Sequence, residues 1–312
     1  MIKNKKVSLK KQLIKHKITG YIGKAIIYFI LICIGFIYLE PIFEILAKTF
    51  MSPADIIDPS VKWVPKSLSL NNLKVAGKVL DIWKTLKNTI LFSGALALAQ
   101  TTVSALTGFA LSRYEFRFKK FWFVMILLAF IVPVPVLMVP RIMMFVTAQE
   151  ALSFQLIGTP YPQLLMALFG QGIYSTVLIL IFYTSFNMIP TVLDEAAQID
   201  GASAIKVFWF IAVKLSLSTV LVVFLFSFVW NWNETYVTGT FLRGSIALLP
   251  AKLNLFDSEF DSVVKASGSA FKLNEAYKMA ATLISISPLL LMYVFVQRRF
   301  IQGIENTGIT GE

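Results

Sequence analysis

Asp194-Glu195-Ala196-Ala197-Gln198-Ile199-Asp200-Gly201-Ala202-Ser203 is a polar, small-residue stretch lying between two long apolar segments. Pro190 suits the first turn of a helix, where its missing N–H costs nothing, and Asp194 and Glu195 fall early enough to favour the positive end of the helix dipole. A helix is therefore predicted from near Thr191, about 10 residues or roughly 15 Å long, until Gly201 supplies the permissive backbone that ends it. Ser203 is placed to cap a second helix running into the next apolar segment. Ala196, Ala197 and Ala202 lack bulk, so another protein's surface can approach this backbone closely. The pattern describes a water-facing docking knob.

The rest of the chain is built for lipid. With 57% hydrophobic residues, 15% charged residues and a mean hydropathy of +0.73, the 312 residues carry more apolar surface than one soluble core can hide. Runs of about 20 residues, long enough to cross roughly 30 Å of hydrocarbon, recur near 25–46, 89–112, 121–145, 163–186, 207–230 and 279–301. Each is read as a helix, because an open strand in lipid leaves backbone groups unpaired. The predicted fold class is an all-α integral membrane protein of six transmembrane helices, with the polar knob between the fourth and fifth. Residues 1–24 form a basic N-terminal segment and 25–312 a single membrane domain.

Basic residues set the orientation. Lys3, Lys5, Lys6, Lys10, Lys11, Lys15, Lys17 and Lys24 precede the first span, and Arg113, Arg117, Lys119 and Lys120 lie between the second and third. Both regions are expected on the cytoplasmic side, and an even number of spans returns the C-terminus, with Arg298 and Arg299, to it. The 48–87 loop on the other face works against this pattern with seven lysines, offset in part by Asp55, Asp58 and Asp81. The net charge of +12 lies beside apolar spans with no nucleic-acid motif, which points to anionic membrane lipid rather than nucleic acid. Val7, Leu9, Leu13, Ile14 and Ile18 among the lysines fit an amphipathic helix on the inner leaflet; a solvated basic tail is the alternative.

Several function classes fall away. Cys33 is the only cysteine and His16 the only histidine, which excludes an internal disulfide and any Cys/His metal cluster. The basic start leads into an apolar span ending at Glu40-Pro41 without a small-residue cleavage pattern, so the first span is expected to stay as an anchor. No phosphate-cradling GxxxxGK[ST] loop is present, so the chain is not expected to hydrolyse nucleotide or act as an enzyme by itself. The segments 47–88 and 231–278 hold Trp63, Trp83, Tyr236, Phe241, Phe256 and Phe260, and read as ordered caps rather than linkers.

The polar stretch resembles the EAA loop of permease subunits of bacterial ABC importers, through Glu195-Ala196-Ala197, Asp200-Gly201-Ala202-Ser203 and Ile211. Trp63-Val64-Pro65 before Leu70-Asn71-Asn72, Leu111-Ser112-Arg113-Tyr114 with Phe116, Pro133 and Pro140, Trp230-Asn231-Trp232-Asn233-Glu234, and Gln297-Arg298-Arg299-Phe300 extend it to the maltose-type carbohydrate permeases, in particular the shorter six-span subunit. The resemblance implies a transmembrane permease for a carbohydrate. Its expected partners are a second permease subunit, a cytoplasmic ABC ATPase dimer and an extracellular or periplasmic solute-binding protein, in a bacterial plasma membrane. ATP and Mg would be bound by the ATPase subunits, and no cofactor by this chain. Glu195, Ala196, Ala197, Asp200, Gly201, Ala202 and Ser203 would then couple to the ATPase. The family commonly has proline where this chain has Lys214, and often where it has Ser218, so the bend those prolines help to set is left unspecified by these residues.

Candidates for the substrate path are polar or aromatic groups in the third to fifth spans: Gln171, Tyr174, Ser175 and Tyr183, then Trp230, Asn231, Asn233 and Glu234 at the outer end of the fifth. Gln171 and Tyr174 equally suit helix-to-helix contacts, and 230–234 an interfacial aromatic cap. Arg141, about 20 residues into the third span, either snorkels to the outer boundary or faces the cavity, where it would favour a carboxylated sugar. Pro133, Pro135 and Pro140 are expected to kink that span. An ion-coupled secondary transporter is the rival reading, but the span interiors hold almost no acids for ion coupling.

Overall fold

A computed structural model describes the backbone of residues 2–267 and 273–308, and the side chains of 21–263, 265 and 273–297. No strand occurs among these residues. The helices are α1 (Ile2–Phe50), α2 (Pro53–Ile57), α3 (Asn71–Leu80), α4 (Ile82–Arg113), α5 (Lys119–Ile131), α6 (Val134–Leu152), α7 (Tyr161–Leu168), α8 (Ser175–Asn187), α9 (Thr191–Ile199), α10 (Ala204–Leu215), α11 (Leu217–Asn233), α12 (Tyr236–Leu242), α13 (Leu249–Asn254), α14 (Phe256–Ser267) and α15 (Glu275–Gly308). Tyr21–Phe50, Ile82–Arg113, Val134–Leu152 and Glu275–Gln297 are long and apolar enough to cross a membrane. Two bent pairs, α8 with α9 at 74° and α10 with α11 at 84°, raise that number from 4 to as many as 6.

Three of the expected spans are interrupted. The 121–145 segment breaks between α5 and α6, where Val132 is extended (φ −72°, ψ 120°) and Pro133 caps the next helix. Proline offers no N–H and disfavours helical backbone in the residue before it. The 163–186 segment breaks over 169–174, between α7 and α8. The 207–230 segment holds a π turn at Phe208–Ala212 and then bends at Ser216. The first helix instead overruns its expected 25–46 and is continuous from Ile2. The face that the lysines of 2–20 present lies outside the described residues, as do the side chains of Arg298, Arg299 and Phe300.

The described residues divide into two compact units, one within Met1–Ala76 and Lys272–Leu283, the other within Gly77–Phe271 and Ile284–Glu312. In the first, α1 shows its apolar residues outward over 26–39, as a lipid-facing helix does. Its last turns are tied by charge: the Lys48 ammonium lies 2.7 Å from both Glu44 and Glu275. The buried Asn72 amide donates to the Thr49 and Met51 carbonyls (3.0 and 2.8 Å), closing the chain after α1, and Ser52 and Asp55 form a reciprocal cap on α2. On the exposed loop beyond, Asp58 is held well below the usual carboxylate range, first by the Lys66 ammonium and then by the Ser60 hydroxyl and amide.

The second unit is organised around α4. Thr85, Thr89, Ser93, Ala97, Thr101 and Ala105, each four residues after the last, lie on its buried face, with Gln100, Ser104 and Gly108 beside them. Leu91, Leu98 and Leu106 lie on the opposite, exposed face. Lipid is as apolar as leucine, so helices in it associate through close packing of small residues and through hydrogen bonds, which is what this seam supplies. A core of Phe109, Leu178, Phe182, Phe186, Val207 and Phe208 fills the end of α4 nearest α9, with Phe109 edge-on to Phe186 at 5.7 Å.

At Gly108, α4 comes close to the backbone of α8. A Cβ built there would lie 2.7 Å from Phe182 Cβ and 2.9 Å from the Tyr183 backbone nitrogen. Gly108→Val is therefore expected to lower stability by roughly 1–3 kcal/mol or more through overpacking, read as a drop in melting temperature in detergent. Gly94→Ala, whose Cβ meets nothing within 4 Å, should leave it unchanged.

Candidate functional site

The 190–207 region folds into the expected helix, turn and helix. Pro190 takes the cap position just before α9, rather than a place in its first turn. Gly201 has φ +83°, and a Cβ there would meet nothing within 4 Å, so glycine is required by backbone conformation and not by space. The Ala202 amide donates to the Ala197 carbonyl at 2.9 Å, closing the turn, and Ser203 Oγ accepts from the Lys206 amide at 3.5 Å. Glu195, Ala196, Asp200, Gly201 and Ser203 are exposed, whereas Ala197 and Ala202 are half-buried and pack inward on the aromatic core. The sequence reading placed all three alanines on the docking surface; two of them instead let α9 sit close to Phe208 and its neighbours. Exposed on the hairpin are Val192, Ile199 and Ile205, which that reading passed over; Ile199 is 86% exposed.

The bend after the hairpin exists without proline. Ser216 lies between α10 and α11 at φ −103°, ψ 25°, flanked by Leu215 and Leu217. The Ser185 hydroxyl of α8 donates to Ser216 Oγ (3.2 Å) and shares a hydrogen bond with the Thr219 hydroxyl (2.8 Å). These hydroxyls are buried together, so they hold the bend that the family's prolines were expected to set. The Lys214 ammonium sits 5.0 Å over the Phe210 ring.

A second polar feature lies deeper in the same unit. A cavity of about 100 Å³ is lined by Gln100, Arg141, Gln163, Gln171, Tyr174 and Asn231, among apolar neighbours. Gln171 and Tyr174 stand in the 169–174 break, not on the flank of a continuous helix. That break is held by Gln100, only 1% exposed: its Nε2 donates to the Ile173 carbonyl (2.9 Å) and Ser175 Oγ (3.0 Å). Its Oε1 accepts from Ser227 Oγ (2.7 Å) and Asn231 Nδ2 (2.6 Å) on α11. The Gln100 side chain runs against Gly172, where any Cβ would collide with it. One amide thus joins α4, the break, α8 and α11, and the sequence reading missed it because its partners lie 73 to 131 residues away.

Arg141, on α6, turns toward this break: its Nη2 donates to the Gln171 carbonyl (3.3 Å) and Gln171 Oε1 (3.4 Å). Gln163 Nε2 donates to the Thr238 hydroxyl (3.0 Å), while its buried Oε1 has no hydrogen-bond partner among the described residues. Of these two lining residues, only Arg141 brings a charge to the cavity. The remaining candidates separate from one another. Trp230 packs on Tyr174 (4.9 Å between ring centroids) and stacks on Phe226. Asn233 is exposed and donates to the Val229 carbonyl. Glu234 caps α12, accepting from the amides of Tyr236, Val237 and Thr238 at 2.9–3.0 Å. Tyr183 pairs with Phe123 at 5.2 Å.

A helical bundle of membrane-crossing length, with interrupted helices around a polar cavity and an exposed helical hairpin, is the architecture of a membrane transport component. The chain belongs to the family of binding-protein-dependent transport system inner membrane components, whose pattern matches residues 100–306. It is 24% identical over 290 residues to AmyC of Thermoanaerobacterium thermosulfurigenes, a probable starch degradation products transport system permease protein, covering 91% of this chain and 96% of that one. It is 26% identical over 220 residues to UgpE of Yersinia enterocolitica, an sn-glycerol-3-phosphate transport system permease protein, covering 70% and 72%. The fold matches, with a TM-score of 0.72 at 20% identity over 90% of this chain and 98% of the other, the crystal structure of a bacterial ABC transporter involved in the import of the acidic polysaccharide alginate.

Gln100→Leu removes all four hydrogen bonds and strands buried partners at roughly 1–3 kcal/mol for an unsatisfied group. The expected result is a lower melting temperature together with faster hydrogen exchange at the amides of 169–175, whereas unchanged exchange there would show that the break holds without the knot.

Proposed function

We propose that this chain is the permease subunit of an ATP-driven ABC importer of carbohydrate, forming the translocation path with a second permease subunit. The observation that carries the reading is the α9–α10 hairpin: a short helix, a glycine turn at φ +83° and an exposed surface of Glu195, Ala196, Asp200, Gly201 and Ser203. In this reading the hairpin is a cytoplasmic EAA coupling loop between the fourth and fifth of six passes, made by α1, α4, α5–α6, α7–α8, α10–α11 and α15. Residues 25–312 act as one permease domain behind a basic segment, 1–24, and both termini lie in the cytoplasm of a bacterial cell. An ABC ATPase dimer binds ATP and Mg beneath the hairpin, and a solute-binding protein delivers substrate on the other face. ATP-driven closure of the ATPases shifts the permease pair from inward-open to outward-open.

The carbohydrate assignment rests on the sequence resemblance and on relatives such as AmyC. The cavity, about 100 Å³, is smaller than the roughly 300–1,000 Å³ of a complete ligand pocket, and in this reading the second permease subunit supplies the rest of the path. Arg141 at that cavity favours a saccharide carrying a carboxylate, which it would hold by a charge-assisted hydrogen bond.

Uptake of saccharide by the reconstituted complex should require ATP, the ATPase and the binding protein. Gly201→Val should leave membrane insertion intact, because the added atoms meet open space, but reduce co-purified ATPase and uptake together. Full ATPase recovery with normal uptake in that variant would remove the coupling role. Arg141→Ala should lower uptake of a uronate oligosaccharide roughly ten-fold or more relative to a neutral one of equal length, the scale of one charged hydrogen bond. Equal effects on both substrates would rule out the acidic preference.

A further inference from the structure

Arg113, the last residue of α4, and Asp194, in the first turn of α9, form a buried charged pair outside the cavity. Arg113 Nε lies 2.6 Å from Asp194 Oδ2, and each side chain is only 8% exposed. Arg113 Nη2 also donates to the Ile189 carbonyl at 2.8 Å, so one arginine grips both α9 and the bend that leads into it. Apart from this ion contact, the Asp194 carboxylate has no hydrogen-bond donor among the described residues. Arg113 is thus the group that compensates its charge.

Such a pair is a poor source of stability, because desolvating two ions offsets most of their attraction, and a well-packed apolar pair commonly does as well. What a charge pair adds is direction. Apolar contacts such as Ala197 and Ala202 on the Phe208 core tolerate sliding, whereas separating two buried charges is strongly resisted. The ion pair therefore ties the hairpin to the end of α4 more firmly than its apolar packing alone would. From Arg113 back to Gln100 runs about 20 Å of unbroken helix, with Gly108 seated against α8 on the way. At the far end, Gln100 fixes the 169–174 break and lines the cavity.

The geometry points to Arg113 and Asp194 as positioning residues for transport: their ion pair passes movement of the α9–α10 hairpin into α4, and α4 passes it to Gln100 at the cavity. This rests on the importer reading, and it adds a connection between hairpin and cavity that the hairpin's own docking role does not require. Transmission of this kind travels through rigid packed elements, and only a measured coupling distinguishes it from mere proximity.

The test uses the complete complex in proteoliposomes, with Arg113→Glu, Asp194→Arg, both together, and an apolar pair, Arg113→Met with Asp194→Leu. Three quantities are read: ATPase recovered with the permease, basal ATP turnover, and saccharide taken up per ATP hydrolysed with the loaded binding protein. Each single reversal is expected to cut uptake per ATP at least ten-fold while basal turnover stays within two-fold, and the swapped pair to restore it to within about three-fold. The apolar pair should assemble and hydrolyse ATP yet remain uncoupled. Normal uptake per ATP in the apolar pair, or in assembled single reversals, overturns the proposal. So does failure of every variant to assemble, which would make the pair a folding contact only. ATP-independent uptake by the unaltered complex would instead sink the importer reading and is distinguishable from all of these.

Discussion

Within hydrocarbon every backbone N–H and C=O must find a partner inside the protein, and each departure from continuous helix has to be compensated by a particular side chain or by proline. The described structure departs at three places within its apolar segments. At Val132–Pro133 the chain uses a residue that has no N–H to satisfy. At 169–174 the buried amide of Gln100 supplies a donor to the Ile173 carbonyl and binds Ser175. At Ser216 the hydroxyls of Ser185 and Thr219 surround the bend. Breaks of this kind put polar groups inside an otherwise apolar bundle, and the cavity is lined from two of them, at 132–134 and at 170–174.

The same constraint explains the character of α4. Its buried face is small and polar rather than large and apolar, because water does not drive helices together in lipid and close backbone approach must do so. Gly108 allows that approach, Gln100 converts it into a specific junction of four elements, and Arg113 ends the helix on the carboxylate of Asp194. α4 is one uninterrupted helix of 32 residues, and it runs from the hairpin contact at Arg113 past Gln100 at the cavity.

Much of this was legible in the residues. The Pro190, Gly201 and Ser203 signals placed a helix, a turn and a second cap within a residue of where they fall, since caps and glycine turns are local effects of backbone geometry. Pro133, Pro135 and Pro140 together pointed to a kink in the third segment; the chain breaks at Pro133, and α6 runs on through Pro135 and Pro140. Other features had no local signature. The bend at Ser216 lacks proline, and hydroxyls from α8 hold it. Ala197 and Ala202 were read as outward-facing until their packing on Phe208 fixed the rotation of α9. Asp194 looked like a favourable charge at a helix start, but its partner lies on another helix.

Composition and hydropathy by themselves determined that the chain is helical and lives in lipid, since neither its apolar content nor its run lengths suit any other solvent. The polar stretch at 194–203 determined where a helix must stop and turn. Only tertiary structure decided which polar residues meet: Gln100 with Asn231, Arg141 with Gln171, Arg113 with Asp194. The physical reason is that a helix repeats its signals over three or four residues, whereas a buried hydrogen bond or ion pair depends on helix rotation and approach, which are set by packing across the whole unit.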